Sequence, residues 1–549
     1  MLSTAYGYAW TQTVRLAGTV LDSRTHDRIE GAVVSVIETS VRCETDTSGA
    51  FAFTLATPAR YTLSVHRIGY AASERVAAVS DDAELVIELS PVMLQADEVV
   101  VRSTRVHADV NTSSIPFAVM MEEDLAHRTP LTVADAMRSI PGVSLVRDGS
   151  WETAVSIRGM SRSNIVMLVD NTRIETANDI AAAFSLVDIQ ELERVETEKS
   201  PGSSIWGSGA IGGVVHMMTK KPAFSETPDS HLQLEERGAT VNGLMSHHIS
   251  FDHSSPRFGV RLALGLRRAG NTQTPEGEIP NSQFRDFNLS TSVCVKTLNA
   301  QTLSASYQRS QAEDTGIPGG AAIASAAKAR YTLAARELFA AEYSIPEVSS
   351  TVDLVTLRVS RQVIRRNVEI IQSPALTLTP HAVHGTTNAQ LEGRLQPHED
   401  LTLTAGIDAW QRSLESRRER INTVIGETIG ERPVPVSSYL SAGSYIHGLW
   451  KAAPDRITID AGARFDWIRV SNETTFNPEY TIRSGGIPDT RPMGLLWNAQ
   501  TVNNHSWSGD AGVTLSLSPN AMLSLLAATA FRSPSLEERF QYIDLGSVL

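Results

Sequence analysis

No run of eighteen or more consecutive apolar residues occurs in this chain, so it offers no helix long and apolar enough to span a bilayer. That absence is silent about β-barrels, whose lipid-facing residues are hidden in alternation. Cysteine is nearly missing. Cys43 and Cys294 are the only two; they fall in different predicted domains and read as unpaired thiols. No Lys/Arg-rich run is present and the formal net charge is −13, which argues against a nucleic-acid binder. No nucleophile elbow, paired metal ligands or phosphate-cradling loop appears, so no catalytic residue and no metal ligand is assigned. His26 and His66 stand alone and read as ordinary histidines. The opening residues, MLSTAYGYAWTQT, lack both a basic and an apolar region and do not make a complete secretory signal.

What is present is alternation. With 549 residues the chain is too long for one ordinary domain. Between 14 and 91, VRLAGTVLD, GAVVSVIET, SGAFAFTL, RYTLSVHRIGY and ELVIELSP are short strands with turns between them, which predict a small β-sandwich. Residues 92–116 are polar and unpatterned except for Asp97, Glu98, Val99, Val100 and Val101. That run is either an edge strand of the first domain or a segment kept free to add to a partner's sheet. Thr132 is placed to cap a helix that Pro141 stops. From 139 to 222 short strands and turns alternate. Gly207, Gly209 and Gly212 fit a G-x-G-x-x-G frame, but VVHMMTKKP follows as a strand where a dinucleotide site needs a helix. From 223 to 549, segments such as HHISFDHS, GVRLALGLRR and ITIDAGARFDWIRVS alternate, with long unpatterned stretches between some of them. Short turns alternating with long loops are the pattern of a transmembrane barrel.

Six short motifs occur in order: Ile140-Pro141-Gly142-Val143, Ser156-Ile157-Arg158-Gly159, Val169-Asp170, Arg194-Val195-Glu196, Ser200-Pro201-Gly202, and the glycine cluster 207–213. They resemble the plug domain of TonB-dependent outer-membrane receptors. Asn171 and Ser200 depart from the glycines usual there. Gly462-Ala463-Arg464-Phe465-Asp466, Gly406-Ile407-Asp408 and the segment 531–538 are similar to barrel motifs of that family. The first domain resembles a carboxypeptidase-regulatory-like module, on Gly18, Gly31, Thr45, Asp46, Phe51, Tyr61, Gly69 and Tyr70 among others.

The resemblance implies a mainly β architecture: a small β-sandwich, then an α+β plug inside an incomplete antiparallel transmembrane β-barrel. Its expected divisions are a residual leader at 1–13, the sandwich at 14–91, a linker at 92–116, the plug at 117–222 and a partial barrel at 223–549. Asp97 to Val101 would be the box that pairs by β-addition with TonB, the arm of the inner-membrane energy complex. The implied role is uptake of a scarce ligand, a ferric siderophore first, with cobalamin or haem as alternatives and a surface adhesin as the rival from another class. The implied location is the outer membrane, in contact with its lipid, with the first domain and box in the periplasm. Neither a catalytic activity nor a cofactor is implied.

Three expectations concern residues. The plug loops near Arg147, Trp151, Met160, Arg162, Asn178 and Phe184 are candidates to face ligand. Arg158, Arg194, Glu196 and Glu198 are expected to form one buried or half-buried charge network. His381 and His384 lie three apart on a strand and face opposite ways, which disfavours a haem-ligating pair. Length adds a fourth. At on the order of 20 residues per strand and loop, the residues after 222 supply about fifteen to seventeen strands. Plugged transporters use about 22, so the chain reads as a fragment lacking its last strands.

Overall fold

The computed structural model describes residues 13–541, apart from 24, 37–38, 40, 57–58, 68–69, 71–72, 80–82, 91–99, 102–107, 110–112, 178–181, 298, 320–326, 454–455, 484–485, 491–493 and 519–520. Two units emerge, 1–99 and 100–549.

In the first unit the strand Thr13–Asp22 pairs antiparallel with Ala50–Ala56 and parallel with Ala83–Leu89. A second sheet orders Val41–Glu44, Val33–Val36, Ala59–His66 and Ser73–Val79. The period of two in each strand turns Leu16, Val20, Val34, Phe51, Leu63, Val65 and Ile87 into one core. Each such side chain, once buried, contributes about 1.5–3 kcal/mol. The expected leader reaches the described residues only at Thr13, which begins the first strand.

The second unit begins with Val100–Val101, paired with Ala108–Asp109. Ser114 and Ile115, expected in a linker, are instead buried. A five-stranded mixed sheet follows in the order Phe117–Met121, Leu192–Glu198, Gly213–Thr219, Ile165–Val169 and Thr172–Arg173. Gly213–Thr219 is buried along its whole length and lies parallel to Ile165–Val169. A central strand covered on both faces needs a continuous apolar run rather than alternation, and VVHMM comes close to one. The helix Val133–Met137 is capped by Thr132, whose hydroxyl accepts from the Asp135 amide at 3.2 Å.

Around this plug runs a curved antiparallel wall. Among the described residues thirteen strands form one ladder, from Asp229–Ala239 to Ala521–Thr529. With the short strands Thr315–Ile317, Glu427–Glu431 and Tyr480–Arg483 paired beside that ladder, the sheet has sixteen strands among the described residues, within the fifteen to seventeen expected from length, but only thirteen make the main ladder. The reason lies in strand length: Val352–Ser373, Leu376–His398 and Leu401–Asn422 have 22, 23 and 22 residues. About ten tilted residues suffice to cross a bilayer, so these strands run well past that need and use chain that would otherwise make further strands. Among the described residues the two end strands of the ladder each have a neighbour on one side only. Turns at 255–257, 297–301, 347–351 and 399–400 lie at one end. The longer connections 270–283, 314–327, 423–436 and 473–499 lie at the other, beside tight hairpins at 240–243 and 374–375.

The polarity of the wall is inverted relative to a water-soluble sheet. On Leu244–Ser254 the residues Ser246, His248 and Ser250 are buried, while Met245 is 62% exposed and Ile249 41%. On the neighbouring strand Leu232 and Leu234 are 71% and 68% exposed. Apolar side chains point out and polar ones point in, as lipid on the outside and a polar plug on the inside require.

Candidate functional site

Plug and wall meet through desolvated charge. The guanidinium of Arg464, on the wall, forks onto Asp408 at 2.7 and 2.8 Å and onto Asp466 at 2.8 Å, and donates to the Ile205 carbonyl of the plug at 3.1 Å. Arg261 and His248 of the wall converge on Glu191 of the plug, with Arg261 at 2.7 and 2.9 Å and His248 Nε2 at 3.1 Å. Burial alone would raise the Glu191 carboxyl, but the bonds from His248 and Arg261 prevail and hold it below the usual range. Arg336 donates to the Leu186 carbonyl at 2.8 Å. Breaking one partner of such a buried pair costs about 3–5 kcal/mol. Beside these polar contacts, plug and wall also share one apolar core, in which Trp151, Phe184 and Leu186 meet Phe284, Tyr331 and Leu338.

The expected plug network is divided. Arg194 Nε lies 3.1 Å from Glu196 Oε1, both side chains buried. Glu198 turns elsewhere: the Ser200 hydroxyl donates to it at 3.1 Å. Burial, with a smaller push from Asp510, drives the Glu198 carboxyl up to about 8 against that hydrogen bond. Arg158 is not part of the group. With φ of 50° and Gly159 at 84°, it forms the two-residue turn between Thr153–Ile157 and Met160–Ser161. Such hairpin turns need positive φ at both positions and present their side chains outward; Arg158 is exposed.

The ligand-facing candidates separate in the same way. Trp151 is fully buried. Its indole donates to Asp286 at 2.8 Å and its ring meets Tyr331 edge-on at 5.7 Å, so it anchors plug to wall instead of facing ligand. Phe184 is also buried, though it borders a cavity. Arg147 is exposed and pairs with Asp135. Met160, on the short strand Met160–Ser161, and Arg162, at the start of the helical turn Arg162–Asn164, are both exposed. Asn178 lies outside the described residues, as do Asp97, Glu98 and Val99; Val100 and Val101 are the paired strand noted above.

A cavity of about 150 Å³ lies between plug and wall. Asp148, Glu152, Arg162, Arg173 and Glu175 line it from the plug, Trp410, Arg412 and Tyr439 from the wall, and Arg532 from the segment after the last strand. Trp410 stacks on Tyr439 at 4.9 Å, with the Arg173 guanidinium 5.0 Å from the Trp410 ring. Arg412 donates to the Thr176 carbonyl at 3.1 Å and to His384 Nδ1 at 3.0 Å, and pairs with Glu537. The nearby plug loop touches the long-connection end, through Ser150 and Thr272 hydroxyls 2.8 Å apart. Four arginines beside two stacked aromatics can receive an anionic ligand with flat groups once it competes with the acids that hold three of them, Glu175 at Arg173, Glu537 at Arg412 and Glu538 at Arg532. Reading the sequence did not find the wall residues, because any inward position of an alternating strand looks the same. A second grouping, His447, Asp460 and Asp510, was equally hidden: its members stand on three different strands, all buried.

Three family models match the chain: "CarboxypepD_reg-like domain" over residues 16–101, "TonB-dependent Receptor Plug Domain" over 109–214, and "TonB dependent receptor-like, beta-barrel" over 241–547, the last covering more than half of it. The ferric enterobactin receptor PirA of Pseudomonas aeruginosa is 27% identical over 209 residues, which are 33% of this chain and 27% of that protein. Among solved structures, the copper transporter OprC superposes with a TM-score of 0.65 at 16% identity, over 76% of this chain and 64% of that one. The ferric citrate transporter FecA gives 0.59 at 15%, over 77% and 64%. The ferric yersiniabactin uptake receptor FyuA of Yersinia pestis gives 0.58 at 12%, over 76% and 65%. The chain therefore spans less than two thirds of the length of these proteins, and at such identities the structures show a shared fold.

Proposed function

This chain belongs to the TonB-dependent receptor family, and we propose on that premise that it serves active uptake of an anionic metal chelate, a ferric siderophore, across the outer membrane. The observation that carries the reading is the arginine- and aromatic-lined cavity where plug loops meet the wall near the long connections. A drug-sized ligand needs roughly 300–1,000 Å³, about twice this cavity or more. The chelate would therefore insert its charged edge between Arg162, Arg173 and Arg412 and rest its bulk on the loops above. Competition of the ligand for Arg412 would loosen its hold on the Thr176 carbonyl and on Glu537, a direct route from binding to plug movement. The box at 97–101 would then engage TonB in the periplasm, and work delivered there would shift the plug. The names of PirA, FecA and FyuA, each a receptor or transporter for a ferric chelate, support this cargo class.

Cobalamin and haem are the alternatives. In the structure His384 is buried while His381 is exposed, so the two do not form a pair. The test is a binding screen of detergent-purified protein against ferric catecholate, ferric hydroxamate, cobalamin and haem. Saturable binding of a ferric siderophore alone supports the proposal; binding of cobalamin or haem alone replaces the cargo. Binding of a siderophore without any TonB-dependent uptake would favour a surface role without transport.

A further inference from the structure

Near the short-turn end, three neighbouring wall strands converge on one point. They are Ser437–Ala453, Ile457–Asn472 and Gln500–Ser518. Their register sets His447 opposite Gly462, Gly462 opposite Asp510, and Asp460 opposite Gly512. Positions two apart share a face of a strand, so all five lie on the inner face. The glycines make room there. A Cβ at 462 would come within 2.6 Å of His447 Cδ2 and 2.7 Å of Asp510 Oδ1. One at 512 would come within 1.9 Å of Ser114 Oγ. Across the hollow sits the plug, with Ser114 and Ser204 closest.

His447, Asp460 and Asp510 are all buried, with one ligand-type atom from each lying within 4.8 Å of the others. The Ser114 hydroxyl donates to Asp460 Oδ2 at 2.7 Å. Beyond that the group is sparsely bonded. Neither ring nitrogen of His447 and not Oδ1 of Asp460 has a hydrogen bond of good geometry, and Asp510 has only loose contacts with His447 and Ser204. Among the described residues no lysine or arginine pairs with either aspartate; the nearest basic atom is His447 Nε2, 3.4 Å from Asp510 Oδ2. Two buried carboxylates that share a single imidazole as their counter-charge are costly. Elsewhere this wall covers its inward acids with arginine, as Asp408, Asp466 and Asp286 show.

We propose that His447, Asp460 and Asp510 bind a resident divalent cation of the zinc class. One imidazole with two carboxylates is a ligand set zinc accepts, whereas calcium and magnesium prefer all-oxygen cages. Zinc bonds of about 2.0–2.2 Å place tetrahedral neighbours about 3.4 Å apart, the spacing already present between His447 and Asp510. Because Asp460 also holds Ser114, the ion would pin three wall strands to the start of the plug. It would be a structural clamp, separate from cargo, and it does not depend on the siderophore reading.

The test uses detergent-purified protein stripped with chelator and titrated with Co²⁺, whose visible absorption reports low-coordinate nitrogen and oxygen ligands. One equivalent should bind with that absorption, and Zn²⁺ should displace it. His447→Gln and Asp510→Asn should each weaken binding by more than the roughly 10–100-fold that outer-shell changes cost. Asp460→Asn, which keeps the bond to Ser114, serves if either of those fails to fold. Absence of stoichiometric binding overturns the proposal. So does an unchanged titration in these variants, or one abolished instead by His398→Gln in the exposed His398–Glu399–Asp400 group.

Discussion

Replacing Glu198 by glutamine isolates what one buried carboxyl does to the plug. Glu198 ends the strand Leu192–Glu198 and is fully buried, and its carboxyl sits at about 8 against the usual 4.5, mainly through burial. The folded state therefore keeps a proton that the unfolded chain releases. For a group raised in this way, the favourable contribution is complete below about 4.5 and is lost as pH rises toward 8. Each pH unit in that window removes about 1.4 kcal/mol, and the whole window roughly 4–5 kcal/mol. Glutamine does not ionise, and its carbonyl can still accept from Ser200, so E198Q should lack this slope. The assay is urea unfolding of detergent-solubilised protein, followed by tryptophan fluorescence, at pH 5.5, 7 and 8.5 with chelator present. Trp151 and Trp206 report on the plug. The gap between E198Q and wild type should widen with pH up to about 8 and then level off. A gap that is the same at all three pH values would refute the reasoning, because the cost would then be steric and not electrostatic.

If residues 97–101 are the proposed box, Val99→Pro should abolish uptake while leaving surface binding intact, since proline would remove a donor from the added strand; uptake at the wild-type rate would sink the box assignment. Trp151→Ala should destabilise the plug by about 3–5 kcal/mol through the cavity it leaves and the lost bond to Asp286, read as an earlier unfolding midpoint, and an unshifted midpoint would count against its anchoring role. Arg162→Ala should weaken binding of a ferric siderophore about tenfold, or about 1.4 kcal/mol, with stability within about 0.5 kcal/mol; unchanged affinity in titration would remove Arg162 from the site.

The plug was legible because its signals are local. A capping threonine, a proline stop and positive-φ glycines each constrain a few consecutive residues. Gly213 is an example: its φ is 144° and a Cβ there would lie 2.2 Å from the Glu198 carbonyl, so only glycine fits. The wall was legible as a class for the same reason, since inside–outside alternation is written along each strand. How those strands divide between the main ladder and short side strands was not legible, because alternation does not say where lipid ends and the aqueous extension begins.

Side-chain partnership was a matter for the tertiary structure. Arg158 stands among charged motif residues in the sequence, yet its place at a hairpin turn sends it to solvent. Trp151 reads as an exposed loop aromatic, yet the wall closes over it with Asp286 and Tyr331. Arg412, His447 and Asp510 carry no sequence signal at all, because their partners lie 28 to 125 or more positions away or on separate strands. The sequence by itself determined the family, the mainly β class and the inward or outward sense of each strand, all set by short-range pattern and backbone sterics. Only the closure of plug against wall decided which charges are desolvated and with whom they pair, since burial and Coulomb energy depend on distances that chain order does not contain.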